Sequence, residues 1–321
     1  MLGYNVVKII AKVFLLMLSI QTRAAALLFR VLLVSVLLSP WALSQAQSLK
    51  LTASIRPLAL LAQDLTRELP VSITTLLPAN ADPHSWALRI SDRQTLEASD
   101  LVLWLGPEFE GFLAKALASA DTYQLRLDTL PDLQWPHEAQ HDHDDPGHDH
   151  HHSGRDLHLW LNPANARVIQ RAIAAKLIQL RPQWRDTLEQ RLEQQLQHLA
   201  ELQADLERRL SPHRQKGFLA YHDAYGHFVE ALGLRQLGAV NQSSEQRLSA
   251  KALGHLQAQA RDSHCLLVER RGEAEQRLGK TLKLPLVVAD GLAADTALNG
   301  FPELLRHIGQ AFEDCFAARA K

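Results

Sequence analysis

LKLTASIRPLALLAQDLTREL, residues 49–69, holds the unit from which the rest of the chain is built. Residues 49–55 alternate with the two-residue period of a strand, and Pro57 interrupts them. Leu58, Leu61 and Leu65 then recur at helical spacing. The order repeats downstream. VSITTLLP (71–78) reads as a second strand, and LVLWLG (101–106) as a buried strand with a helix after it. Between them, Ser91 with Gln94 resembles a capping box that opens a short helix. Parallel neighbouring strands need a crossover between them, and a helix after each strand supplies it. The alternation therefore predicts an α/β lobe with a mainly parallel sheet.

Asn162-Pro163 combines a capping side chain with a proline that suits the first helical turn, and predicts a helix to about Leu180, before Pro182. A longer helix should follow. From Gln183 to Leu210 the leucines at 188, 192, 196, 199, 202, 206 and 210 step by three or four and form one apolar stripe. Its length, roughly 42 Å at the helical rise, exceeds what one lobe requires, so it is expected to brace two. A coiled-coil seam is the competing reading, over a run of only about four heptads. Beyond Ser211-Pro212, GFLAY, LRQLGAV, CLLVE and LPLVVA read as strands separated by helical segments, which predicts a second α/β lobe. The expected division is a lobe over 47–182, a linking helix over 183–212 and a lobe over 213–321.

With 321 residues and 46% hydrophobic composition the chain has material for two cores, and a formal charge of -1 offers no basic field for nucleic acid or an anionic membrane. Residues 1–46 read as an export signal. Arg23 and Arg30 precede the apolar run VLLVSVLLS, and Ser44-Gln45-Ala46 provides a small-x-small cleavage site, so the mature chain is expected to begin at Gln47. A start at Met17 would leave the same signal complete. The apolar run is too short to remain as a membrane span, and the mature chain is expected to be soluble. Cys265 and Cys315 are the only cysteines, and in an exported chain such a pair predicts a disulfide, with free buried thiols as the alternative. Closing that loop would contribute roughly 4 kcal/mol on the chain-entropy account.

Chemistry enters at WPHEAQHDHDDPGHDHHHSGRDLHLW, residues 135–160. Within it, residues 137–152 hold seven of the sixteen histidines, at 137, 141, 143, 148, 150, 151 and 152, together with five carboxylates. Imidazole favours zinc, copper, nickel or iron over calcium and magnesium, so the run points to a transition metal. Its polar composition around Pro146-Gly147 predicts a surface loop with many alternative chelates, hence a secondary site made of His137, His141, His143, His148, His150, His151 and His152. A principal site needs fixed geometry. His84 in LLPANADPHSW, His158 in DLHLWL and His222 in FLAYHDAYG stand at or near predicted strand ends, and Asp290 in LPLVVADG joins them. Open α/β sheets bind ligands outside the carboxyl ends of their strands, so the four side chains are expected to meet in an interlobe cleft. Three imidazoles with a carboxylate or a water give tetrahedral zinc coordination, and affinity should fall as pH drops below about 6.5. His227 is expected to cap a helix or to support a ligand rather than be one. Trp86, Trp104 and Trp160 are expected in the core or the cleft wall.

Four stretches, LLPANADPHSWALRISD, LVLWLGPEFEGFL, the His/Asp loop followed by DLHLWLNP, and FLAYHDAYGHF, resemble the zinc-binding solute receptors of ABC importers, over residues 49–316. The resemblance implies two four-stranded (β/α)4-type lobes joined by a rigid backbone helix, with one Zn²⁺ in the cleft between them. It implies His84, His158 and His222 as ligands, with the third histidine favouring zinc over manganese. Pro83 stands where some relatives have a glutamate, so Asp290 or a water would complete the sphere. It also implies periplasmic location in a Gram-negative cell, no catalysis, and delivery to an inner-membrane permease, with the ATPase met only indirectly. A monomer is the default, and Cys265 and Cys315 fall where some of these receptors carry a disulfide. Two rivals remain, a His-rich metal buffer without a dedicated cleft and a secreted zinc hydrolase. The hydrolase is opposed by the lack of HExxH and by a saturated ligand sphere.

Overall fold

The computed structural model describes residues 48–79, 81–84, 86–137, 155–241, 249–295 and 297–318. The leader and residues 138–154, which carry all of the histidine run except His137, lie outside the described residues. Residues from Ser48 onward cluster as a single compact unit.

Two parallel sheets organise that unit. In the first, β1 (Leu49–Ala53), β2 (Val71–Thr75), β3 (Leu101–Trp104) and β4 (Tyr123–Arg126) lie in the order β2-β1-β3-β4. In the second, β5 (Gly217–His222), β6 (Arg235–Asn241), β7 (Ser263–Val268) and β8 (Leu286–Val288) repeat it as β6-β5-β7-β8. Every pairing is parallel. The helices are α1 (Arg56–Thr66), α2 (Ile90–Glu97), α3 (Gly111–Ala118), α4 (Pro163–Leu180), α5 (Arg185–Leu210), α6 (Gly226–Leu232), α7 (Ala250–Gln259), α8 (Glu273–Leu282) and α9 (Phe301–Ala317). In each sheet the chain turns to one side of the first strand and then returns to the other. The crevice this leaves falls between β1 and β3 and between β5 and β7.

The α/β reading therefore holds, with local differences. Tyr123–Arg126 was not expected as a strand, because its short, half-exposed pattern lacks the apolar run that marked β3. The short helix starts at Ile90 under a cap at Arg89, whose amide donates to Asp92 Oδ2 at 2.9 Å, so Asp92 rather than the Ser91/Gln94 pair closes the box. Asp92 wins because it stands three residues after the cap, where a carboxylate reaches the free amide of the first turn. Asn162 caps α4 as expected, its side chain accepting from Ala164 N at 2.8 Å. The long helix begins at Arg185, behind a 3-10 turn at Pro182–Trp184.

Leu188, Leu199, Leu202, Leu206 and Leu210 of α5 are buried inside this chain, which opposes a coiled-coil seam. Helix α9 packs on both α5 and α1, and a Cβ at Gly309 would meet Leu206 Cδ2, so that the leucine would have to shift. Polar ties repeat that contact. Asp64 of α1 accepts from Phe301 N at 2.9 Å, and Arg56 and Arg67 donate to the carbonyls of Leu298 and Asn299, each at 3.1 Å. Cys265 of β7 is bonded to Cys315 of α9 with Cα atoms 5.3 Å apart. No helix among the described residues is long and apolar enough to cross a membrane.

Candidate metal centre

Three histidines meet. His84, His158 and His222 each offer a ring nitrogen within 4.8 Å of the others. Their ring centroids lie 6.0 Å (His84 to His158), 5.5 Å (His84 to His222) and 5.2 Å (His158 to His222) apart. Such spacing suits three imidazoles converging on one ion.

Each arrives differently. His222 is the last residue of β5, at the crevice between β5 and β7, so the sheet itself aims it. Glu269, one residue beyond the end of β7, accepts from its Nδ1 at 3.0 Å. His158 immediately precedes a 3-10 turn at Leu159–Leu161 that leads into the Asn162 cap of α4. Asp156 Oδ1 accepts from both the ring Nδ1 of His158, at 2.7 Å, and its backbone amide, at 2.9 Å. An ionised carboxylate only accepts, so each Nδ1 carries the proton and each Nε2 keeps its lone pair for a ligand. His222 Nε2 is buried without a hydrogen-bond partner. His84, itself exposed, follows β2 on a loop in which Asp82 is half-buried and Pro83 buried; its backbone amide donates to Asp82 Oδ1 at 2.9 Å and its ring meets the edge of Phe109 at 4.7 Å.

Electrostatics follow these contacts. Although His84 is exposed as a residue, its ring lies against Phe109, His158 and His222, and that desolvation, helped by repulsion from His158 and His222, lowers its pKa to about 4. Burial also lowers His222, but the hydrogen bond and charge of Glu269 outweigh it and the net shift is upward. Burial raises both Asp156 and Glu269; attraction to His158 and a hydrogen bond to His222, respectively, hold each below its ordinary value. Phe109 and Trp160 wall the site, with Phe109 5.2 Å from the His158 ring and Trp160 5.3 Å from it. Trp160 is fully buried and its Nε1 donates to Gly291 O at 2.8 Å, which joins the two halves of the molecule behind His158. Trp104 is buried in β3, and Trp86 lies under the Arg89 guanidinium.

Asp290 is not one of the three residues in this group. Its carboxylate accepts the amides of Leu292 and Ala294 in its own loop, and burial raises its pKa. His137 is exposed and pairs with Glu230 at 2.6 Å, while His141, His143, His148, His150, His151 and His152 lie outside the described residues. His227 is buried: its Nε2 donates to the Asp156 carbonyl at 2.7 Å, and Asn165 stands 3.3 Å from its Nδ1. Asp156 and Glu269 were not anticipated from the chain. The available signals were an aspartate two residues before His158 and a glutamate just past a central strand beside the one that carries His222.

Two parallel α/β lobes with a histidine cluster beside the carboxyl end of β5 have the layout in which open sheets bind a ligand, that of a two-lobed binding protein. Residues 51–315 match the family described as "ZnuA: Zinc-uptake complex component A periplasmic", and the chain belongs to that family. Among its relatives, the high-affinity zinc uptake system protein ZnuA of Yersinia pestis is 35% identical over 230 residues, covering 66% of this chain and 72% of that protein. The protein of the same description from Paracoccus denitrificans is 30% identical over 282 residues, covering 76% and 84%. The fold matches a crystal structure of ZnuA at a TM-score of 0.71, with 22% identity and coverage of 85% of this chain and 100% of that one. It matches the AdcAII protein of Streptococcus pneumoniae at 0.70, with 17% identity and the same coverage.

Proposed function

We propose that this chain is a periplasmic zinc receptor that captures Zn²⁺ on His84, His158 and His222 and delivers it to the permease of an ABC importer. The observation that carries the reading is the convergence of three imidazoles within 4.8 Å, two of them with the far nitrogen tied to a carboxylate. That arrangement leaves neutral donors facing one point, which suits zinc. Relatives described as high-affinity zinc uptake proteins, and a solved ZnuA deletion mutant with zinc bound, support the choice of metal.

A water completes the sphere, or Asp290 does after releasing the amides of Leu292 and Ala294. The chain acts as a monomeric carrier without catalysis and reaches the ATPase only through the permease. Residues 1–46 are removed on export, and the histidine run, His137 to His152, holds further zinc weakly.

Competition titration of zinc into metal-stripped residues 47–321 tests this, beside a variant lacking residues 137–152 and a triple variant with His84, His158 and His222 changed to Ala. One tight site is expected to survive the deletion and vanish in the triple variant. A tight site that persists in the triple variant would move the function to the loop and make the chain a metal buffer.

A further inference from the structure

With Asp290 held by the amides of Leu292 and Ala294, three neutral imidazoles and a water leave the charge of a divalent cation unanswered among its ligands. In a partly desolvated cleft that imbalance costs free energy unless anions stand close by. Two do, one behind each buried ligand. Asp156 Oδ1 lies 2.7 Å from His158 Nδ1 and Glu269 Oε1 lies 3.0 Å from His222 Nδ1. The carboxylates are largely shielded, with side-chain exposures of 19% for Asp156 and 27% for Glu269, and His158 and His222 are at 9% and 6%.

Other anions are arranged differently. The Asp82 carboxylate accepts the backbone amide of His84, and that of Asp290 takes the amides of Leu292 and Ala294. Asp82 also acts on His84 and His222 through its charge, while Asp156 and Glu269 each hydrogen-bond to a ring of the group. They come from opposite sides of the cleft, Asp156 from the segment leading into α4 and Glu269 from the end of β7. His227 of α6 clasps the two sides by donating to the Asp156 carbonyl.

The geometry points to Asp156 and Glu269 as specificity-determining residues: resting on the zinc-receptor reading above, they supply two negative charges through the histidine rings and so select a divalent over a monovalent cation. Attraction between a fixed carboxylate and an ion scales with the ion's charge, so removing one carboxylate penalises a divalent ion about twice as much, in logarithm of affinity, as a monovalent one. A carboxylate that merely orients its ring would penalise both alike.

Zn²⁺ and Ag⁺, which both bind imidazole, are the two probes. The chain of residues 47–321 is titrated as parent, Glu269→Gln, Asp156→Asn and the double variant; each amide keeps an acceptor for Nδ1–H and loses the charge. Each single variant is expected to lose roughly 10–100-fold in zinc affinity, the range for an outer partner of a ligand. The Ag⁺ loss should be about the square root of that, 3–10-fold. Melting of the metal-free variants monitors folding, and Glu269→Ala, which removes acceptor and charge together, calibrates the orienting contribution. Equal losses for the two ions would reduce the carboxylates to orienting groups and overturn the selectivity claim, as would zinc affinity within twofold of the parent. Failure of the zinc-receptor reading shows separately, as a parent chain whose tight site ignores the three histidines.

Discussion

His158 and His222 differ from His84 in what holds the imidazole. The first two are buried, at 7% and 5% exposure, and are fixed through their rings by Asp156 and Glu269. His84 is itself exposed, held through its backbone by Asp82 and at its ring by the edge of Phe109. Two of the three imidazoles proposed to bind zinc are thus fixed by carboxylates, and the third is set against an aromatic wall. If the three bind one ion as proposed, two of them need little rearrangement to do so.

The contrast breaks most completely if the histidines are removed. Changing His158 or His222 to Ala is expected to weaken zinc binding by more than the roughly 10–100-fold typical of an outer partner, and the triple change to abolish the tight site, as read by competition with a chromophoric chelator. Phe109→Ala comes next, because Phe109 packs against both His84 and His158 and is buried at 3% exposure. The expected loss is about 3–5 kcal/mol of stability in denaturant titration, with weaker zinc binding. Melting unchanged from the parent would mean the wall is not structural.

Glu110 sharpens the comparison through pH. It lies beside Phe109, is fully buried, and accepts the Leu105 amide at 2.7 Å, while burial raises its pKa to about 7. A raised folded-state value means the fold favours the protonated acid. Its contribution is complete below the ordinary value near 4.5 and is lost as pH rises toward about 7. Asp64, raised to about 6, acts with the same sign over a lower range. Glu110→Gln should flatten the stability curve across that window and gain about 1–3 kcal/mol over the parent at pH 8. Superimposable curves would show that Glu110 does not titrate there. The smallest effect is expected from Asp82→Ala, which removes the acceptor of the His84 amide. About one hydrogen bond's worth, roughly 0.5–1.5 kcal/mol, should appear as a few-fold loss of zinc affinity in the same titration. A loss as large as that for His222→Ala would put Asp82 among the direct determinants.

Much of the fold was legible because it rests on local periodicity. Leu49–Ala53 alternates, Leu58, Leu61 and Leu65 step helically, and each pattern became the element expected. Asn162-Pro163 marked a helix start because capping is a matter of adjacent residues. Tyr123–Arg126 escaped notice because an edge strand buries too little to need an apolar run, and the Arg89/Asp92 cap because Ser91 with Gln94 imitates the same spacing. In the site, the three histidines were expected near strand ends, which holds for His222 at the end of β5; His84 lies on the loop well past β2 and His158 on the segment entering α4, because loops rather than strand ends carry them to the cluster. Their carboxylate partners were not anticipated, since Glu269 is 47 residues from His222 and nothing local joins them.

By itself, then, the chain determined the alternation of strands and helices, a long leucine-striped helix expected from Gln183 to Leu210, a cysteine pair suited to a disulfide and the residue types able to hold a transition metal. These are set by short-range spacing and by side-chain chemistry. Only the tertiary structure decided which nitrogen of His158 and His222 faces the cleft, which carboxylates stand behind them, and that Asp290 is engaged with its own loop. Those outcomes depend on the order of strands in two sheets, which brings together residues far apart in sequence and lets each polar group find the partner that its burial demands.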